Sequence, residues 1–298
     1  MRKIALWLIA ALLIGGGIAM LALREAGPDL IDRLQGEELA PLAGSQRFEL
    51  DETRTVEVSS ENATEGLAVE TVFESVEVTR EAREDIEIKL TGTYIAPLDT
   101  DMPKIRIHKS EGGRLEIDID RGLTLPHSFT STNLRLMVKI PESLSGDLEL
   151  QSVSGAVKLR SPGTAPFEGN VSAGSVSGRV YVEGLEARNL ELGSVSGDVE
   201  FLGSADQLDV KTVSGAVMLK LTALRGDGRM ETTSGTVELT CEAPLNHEIK
   251  LTSTSGTLAL ERPEANVKVL EDRLIEATAG SGKFTLELST VSGNVSVK

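Results

Sequence analysis

One turn, remade along half the chain, constrains the fold more than anything else in the sequence. Ser152-Val153-Ser154-Gly155-Ala156-Val157-Lys158-Leu159 returns as Ser175-Val176-Ser177-Gly178-Arg179-Val180-Tyr181-Val182. Further copies centre on Gly197, Gly215, Gly235 and Gly256, a loose one on Gly282, and a last one on Gly293. Successive intervals between these glycines are 23, 19, 18, 20, 21, 26 and 11 residues. A recurrence near 20 residues marks a repeat architecture, in which one unit cannot bury its apolar face alone.

Aligned on the glycine, slots +2 and +4 hold Val157/Leu159, Val180/Val182, Val199/Phe201, Val217/Leu219, Val237/Leu239, Leu258/Leu260 and Val295/Val297. Slots +1 and +3 vary freely, as in Arg179/Tyr181 and Asp198/Glu200. Strict alternation of one parity predicts a half-buried strand. The same alternation runs backward through Leu190/Leu192, Leu208/Val210, Ile249/Leu251 and Leu286/Leu288, with Ser194, Thr212, Ser253 and Thr290 at slot −3. Each unit therefore reads as strand, tight Ser-Gly corner, strand and a looser return. Glycine tolerates the positive φ that sharp corners often require, and the hydroxyl beside it can bond local backbone. Stacked in register, these hydroxyls form a column just inside the corner.

Two arrangements fit: a β-solenoid with about one coil per period, or an antiparallel meander with each Val-Ser-Gly as a hairpin. Two-residue hairpin loops favour Asn-Gly or Asp-Gly over Ser-Gly. A meander also gives no reason for one side-chain type in one slot of every copy. The solenoid is the favoured expectation.

Thirty Lys and Arg face 46 Asp and Glu, a formal net charge of −16. Nucleic acid rewards clustered positive charge, so it is not an expected partner. An acidic, solubilising surface is a simpler reading than a dedicated cation site. The single cysteine, Cys241, cannot close a disulfide within the chain and reads as an inert thiol at a strand end. His108, His127 and His247 lack metal-ligand spacing.

In chain order, Arg2 and Lys3 precede an uncharged stretch from Ile4 to Leu23. Twenty such residues can span a bilayer as a helix. Residues 1–23 are expected to be a retained signal anchor, with the N-terminus cytoplasmic and everything after Leu23 outside, in the periplasm. Cleavage after Gly17-Ile18-Ala19 is the alternative. Residues 24–46 read as a juxtamembrane linker between Pro28 and Pro41. Residues 47–143 read as strands without the regular repeat, among them 54–58, 85–90, 104–107, 115–119 and 134–140, with a hairpin at Lys109-Ser110-Glu111-Gly112-Gly113. They would form the atypical cap a repeat stack needs. Residues 144–298 are the repeat solenoid. The last copy stops on a strand at Lys298. An uncovered rung can template homotypic or partner pairing, and the simpler reading is that Lys298 and its carboxylate discourage this or that 261–278 folds over the end.

Lys139-Ile140-Pro141, then Leu148-Glu149-Leu150-Gln151-Ser152-Val153-Ser154-Gly155, then the serial Val-Ser-Gly copies resemble a bacterial family of β-strand-repeat proteins of unknown function that carry an adhesin label. It is similar to the head domains of autotransporter adhesins. The resemblance covers about residues 47–298 and implies a right-handed β-helix in the cell envelope. It implies no catalytic residues, and fold alone does not fix function.

The outward slots agree. Slot +3 reads Lys158, Tyr181, Glu200, Met218, Glu238, Ala259 and Ser296, and slot +1 reads Ala156, Arg179, Asp198, Ala216, Thr236, Thr257 and Asn294. Neither stacks two carboxylates on adjacent coils, as a carbohydrate-cleaving β-helix would. Arg179 over Asp198 would form a surface ion pair of small worth. No catalytic, cofactor or metal residue is assigned; the eight corner glycines are structural. The expected function is a non-enzymatic, membrane-tethered rod presenting an interaction surface to an envelope protein or glycan. The alternatives are a carbohydrate-processing β-helix enzyme, which would need acids gathered in a groove, and a β-helix polymer stacked end to end.

Overall fold

A computed structural model describes residues 45–58, 66–97, 101–120, 131–144, 146–163 and 166–298. The expected hydrophobic helix of residues 1–23, and the linker up to residue 44, lie outside the described residues. All regular structure described is β. The first strands are β1 (Ser45–Glu57), β2 (Gly66–Thr71), β3 (Ser75–Glu81), β4 (Asp85–Pro97), β5 (Lys104–Lys109), β6 (Leu115–Asp120) and β7 (Ser131–Pro141). Next come β8 (Asp147–Ser152), β9 (Val157–Arg160), β10 (Phe167–Ser175), β11 (Val180–Ser194), β12 (Val199–Ser214) and β13 (Val217–Leu224). Last come β14 (Gly228–Ser234), β15 (Val237–Cys241), β16 (His247–Ser255), β17 (Leu258–Leu260), β18 (Ala265–Glu271), β19 (Leu274–Ala279), β20 (Phe284–Ser292) and β21 (Val295–Val297).

Repeat strands pair in parallel, which a meander cannot do. On one wall β8, β10, β11, β12 and β14 lie side by side. On the other, β9, β11, β12, β13 and β15 do the same. β11 and β12 belong to both walls because each runs through the looser bend. β11 pairs with β9 over Val180–Glu183 and with β10 over Ala187–Ser194, bulging between them at Gly184, whose φ is +71°. The register sets Val157, Val180, Val199, Val217, Val237 and Val295 in one file, all fully buried. Fully burying a valine is worth about 1.5–3 kcal/mol, so the file alone is a large part of the driving force.

Sequence order and spatial order part company at both ends. The C-terminal pair, β20–β21, is not an open rung. β20 lies between β14 and β16, and β21 between β15 and β17. The expected uncovered rung at Lys298 is therefore corrected: the last coil is hydrogen-bonded on both edges, inserted one place inside the stack. The 261–278 stretch does fold over an end, but over β16, through the antiparallel strands β19 and β18. The N-terminal end repeats the device. β2 lies between β6 and β8, and β3 between β7 and β9. Antiparallel strands then close this end, β5 beside β6, and β4 then β1 beside β7.

The pair β2–β3 is a further regular copy, with Leu67/Val69 and Val76/Val78 fully buried and Thr71 in register with Ser152. Glu74 occupies its glycine slot. Gly282, by contrast, lies outside the corner file: it follows the turn from β19 to β20, with a φ of +66°.

Close approach demands every glycine in the corner file, and positive φ adds to that demand at Gly235, Gly256 and Gly293, at +159°, +157° and +146°. Gly155, Gly178, Gly197 and Gly215 do not have positive φ. A Cβ on each would collide with a carbonyl oxygen of the neighbouring coil: Glu74 O for Gly155, Gly155 O for Gly178, Gly178 O for Gly197 and Gly197 O for Gly215. The file continues to Gly235, Gly293 and Gly256, in that order, each facing the carbonyl of the one before. Gly178→Ala is accordingly expected to cost about 2–3 kcal/mol by forced overpacking against backbone, seen as a lowered urea midpoint. An unchanged midpoint would mean that the coils can slide apart freely.

The hydroxyl column is present. Ser152, Ser175, Ser194, Thr212, Thr232, Thr290 and Ser253 are buried. Ser175 donates to Gly155 O at 2.9 Å, Ser194 to Gly178 O at 3.1 Å, Thr212 to Gly197 O at 3.2 Å, and so on to Ser253, which donates to Gly293 O at 2.9 Å. The Ser152, Ser175 and Ser194 hydroxyl oxygens also accept the N–H of Gly155, Gly178 and Gly197, at 2.8–2.9 Å. Each hydroxyl from Ser175 to Ser253 thus satisfies a carbonyl at the corner, and those of Ser152, Ser175 and Ser194 satisfy an N–H as well.

Candidate functional site

The eight assigned glycines form no pocket; seven make the spine of the sharp corner and Gly282 sits elsewhere. What they place on the surface matters more. Slots −2 and −1 point outward at the corner, and backbone bonds such as Ser177 N–H to Val153 O at 2.9 Å carry the ladder through it. Val72, Val153, Val176, Val195, Val213 and Val291 therefore line up along one edge. Among the described residues six large hydrophobic side chains are exposed, and four are on this edge: Val72 (45%), Phe73 (54%), Val213 (47%) and Val291 (52%). Between Val72 and Val213 the edge carries the half-buried Val153, Val176 and Val195, and Thr233 separates Val213 from Val291; exposed apolar side chains sharing one edge point to a contact site.

The wall containing β8 carries a group of acids that slots +1 and +3 do not reveal. Glu191 and Asp209 are register partners on adjacent coils, and Asp118 is opposite Glu70 on β2, with Glu116 and Glu149 to either side of Ala68. Burial raises the Glu70 carboxyl above its ordinary range, helped by Glu149 and Glu116 and opposed by Arg114. Burial also raises Glu191, with Asp209 adding to it. Arg114 meets Glu149 at 2.6 Å and Lys211 meets Asp209 at 2.7 Å, so the patch is partly neutralised. In the sequence its signal is in slot −6, which holds Glu149, Glu191 and Asp209, and in slot −4, which holds Glu70. Slot −8 holds a polar ladder of the same legibility, in which Asn170 donates to Asp147 and Asn189 to Asn170, at 2.9 and 2.6 Å.

On the opposite wall the expected Arg179–Asp198 pair is not made. Arg179 reaches Glu200 at 3.4 Å, and Asp198 accepts the Ala216 N–H at 2.9 Å. Cys241 is buried, and burial pushes its thiol up. His247 is fully buried, His108 meets Glu116 at 2.7 Å, and His127 lies outside the described residues. Among the described residues no group of three or more His, Cys, Asp or Glu is placed to hold a metal ion, and no helix is long and apolar enough to cross a membrane. A shallow depression of about 410 Å³ lies between β1 and β5, lined by Arg54, Lys104, Arg106 and Asp120.

A protein-family profile described as Toastrack DUF4097 matches residues 43–298. No curated protein gives a match. Similar solved structures include a "putative cell adhesion protein" from Clostridium sporogenes, 13% identical with a TM-score of 0.36, covering 84% of this chain and 99% of its own. A "putative adhesin" from Bacteroides fragilis is 14% identical with a TM-score of 0.45, covering 84% and 97%. A "putative lipid binding protein" from Parabacteroides distasonis is 13% identical with a TM-score of 0.38, covering 82% and 96%.

Proposed function

The chain belongs to the Toastrack DUF4097 family, and on that premise we propose that it is a non-enzymatic interaction module, tethered to the inner membrane by residues 4–23 and presenting its Ser-Gly corner to an envelope partner. The observation that carries this reading is the alignment of exposed apolar side chains along the corner. Val72, Phe73, Val213 and Val291 share one straight edge of a stack whose coils are locked by the hydroxyl column. A rigid edge loses little conformational entropy on binding, which favours affinity.

The full chain is used as bait in native envelope extract, beside the double variant Phe73→Ser, Val213→Ser. Both sites are exposed, so the variant keeps its stability within about 0.5 kcal/mol. Capture is expected to fall at least tenfold, about 1.4 kcal/mol or more. Equal capture by both proteins removes the corner from consideration. The tether is tested apart: the full chain is expected in the membrane fraction after high-salt washing, and a chain without residues 4–23 in the soluble one. A shortened mature chain in the soluble envelope fraction would overturn the tether and leave the corner untouched.

A further inference from the structure

The inserted coil is fastened at its leading end by a cluster built on one buried histidine. His247 opens β16 and is fully buried. Its Nε2 lies 2.8 Å from Gly226 O, and its Nδ1 lies 3.0 Å from the Asn246 N–H. Both contacts are satisfied only by the neutral ring with its proton on Nε2, which donates to Gly226 while Nδ1 accepts from Asn246. A proton on Nδ1 would set two N–H groups against each other.

The same residues hold β20 in its slot. The Phe284 N–H donates to Asn246 O at 3.2 Å, and the Phe284 ring lies 5.7 Å from the imidazole. Asn246 Oδ1 accepts the N–H and hydroxyl of Ser281, at 2.6 and 2.9 Å. Asp227 Oδ1 accepts the N–H and hydroxyl of Thr285, at 2.8 and 2.9 Å. Between β19 and β20 the chain passes through Gly280 and Gly282, both left-handed at +61° and +66°, a hinge that larger residues would strain.

We propose that β20–β21 is an acid-sensitive latch: protonation of His247 loosens the cluster that seats the leading end of β20 and raises the fraction of molecules in which the coil leaves its slot through the Gly280–Gly282 hinge.

The charged groups around the ring support the direction. Asp227, on the loop before β14, is the acid that attracts an imidazolium, but its carboxylate is committed to Thr285, which holds it below the ordinary range. Turning it toward the ring would itself release Thr285. Arg225, on the same loop, is held by Glu186 and Asp206. From β16, Glu248 is held by Lys268 of β18, and beside β20 Lys283 lies over the Phe284 ring. Burial lowers the His247 pKa, against the opposing pull of the Gly226 bond and Asp227. The folded ring therefore takes up its proton at lower pH than the released one. The stability it confers is complete above the ordinary value of about 6.5 and is lost as pH falls below it.

Cys241 is a built-in reporter. It is the single cysteine of the chain, is buried, and donates its backbone N–H to Lys298 O at 3.0 Å, beside the coil in question. The full chain is treated with 4,4′-dithiodipyridine, which stays reactive in acid. Each rate is divided by that of the urea-unfolded chain at the same pH. The ratio is expected to rise at least tenfold between pH 7.5 and 5 in the wild type and to stay flat in His247→Gln. Hydrogen exchange should place the opening at residues 284–298 and their neighbours. A flat wild-type ratio, an equal rise in the glutamine variant, or opening spread evenly along the stack would each overturn the latch. Should His247→Gln fail to fold, NMR titration of the wild-type His247 ring decides: a midpoint matching the Cys241 ratio supports the latch, and a mismatch overturns it.

Discussion

A chain ended after Lys283 is expected to lose the order of residues 247–279 together with that of the strands removed. In a stack whose coils follow one another in sequence, trimming the last coil removes one interface and leaves the rest intact. Here the last coil is a wedge between two others. β16 keeps its antiparallel partner β19 but loses β20, and β17 loses β21, its one partner among the described strands. Leu286, Leu288, Val295 and Val297 are fully buried. At about 1.5–3 kcal/mol for each buried side chain, their removal approaches the whole stability of an ordinary domain. Hydrogen exchange on the truncated chain should show Ile249 and Leu251 exchanging like unfolded peptide while Leu190 through Val210 stay protected. Protection retained across 247–260 would mean that β16–β17 docks directly on β14–β15, and that the wedge is dispensable.

Val199→Asp is expected to be nearly as damaging, by a different route. Val199 is fully buried between Val180 and Val217 in the central file. A carboxylate there sits between the valines of neighbouring coils, and an uncompensated buried charge costs about 3–5 kcal/mol. The next residue supplies the control. Glu200 points outward to Arg179 across a half-exposed 3.4 Å contact, so Glu200→Ala should shift stability by less than about 1 kcal/mol. Urea midpoints of both variants check the pair of outcomes; a larger loss for Glu200→Ala would reverse the parity of every coil.

Parity was legible because it is local. Val157 and Leu159 share a face whatever coil lies above them, and alternation within one strand announces it. The hydroxyl column was legible for the same reason, since Ser194 and Thr212 repeat at one distance from their glycines. Neighbour relations between coils are not local. Val295 and Val297 look like any other pair in the file, and nothing in their spacing says that they belong between Val237 and Leu258. The β2–β3 copy was hidden by Phe73-Glu74 standing where the other corners have Ser-Gly: Leu67, Val69, Thr71, Val76 and Val78 keep the buried slots of the repeat. The acid pair Glu191 and Asp209 is readable in slot −6, on the strand before the corner, whereas slots +1 and +3 lie on the strand after it. At Gly155, Gly178, Gly197 and Gly215 the demand for glycine comes from the neighbouring coil alone, whereas at Gly235, Gly256 and Gly293 the bend adds its own. Crowding by a carbonyl from another coil leaves the same mark on a sequence as a bend that needs positive φ.

The displaced coils at both ends also limit how such a chain can lengthen over generations. Duplicating the first or last stretch of coding sequence would copy a wedge, and a wedge without flanking partners adds no length. Growth has to come from the middle, between Gly155 and Gly235, where reading order and stacking order coincide. Families built on this plan should therefore differ in the number of interior windings while keeping both locked ends.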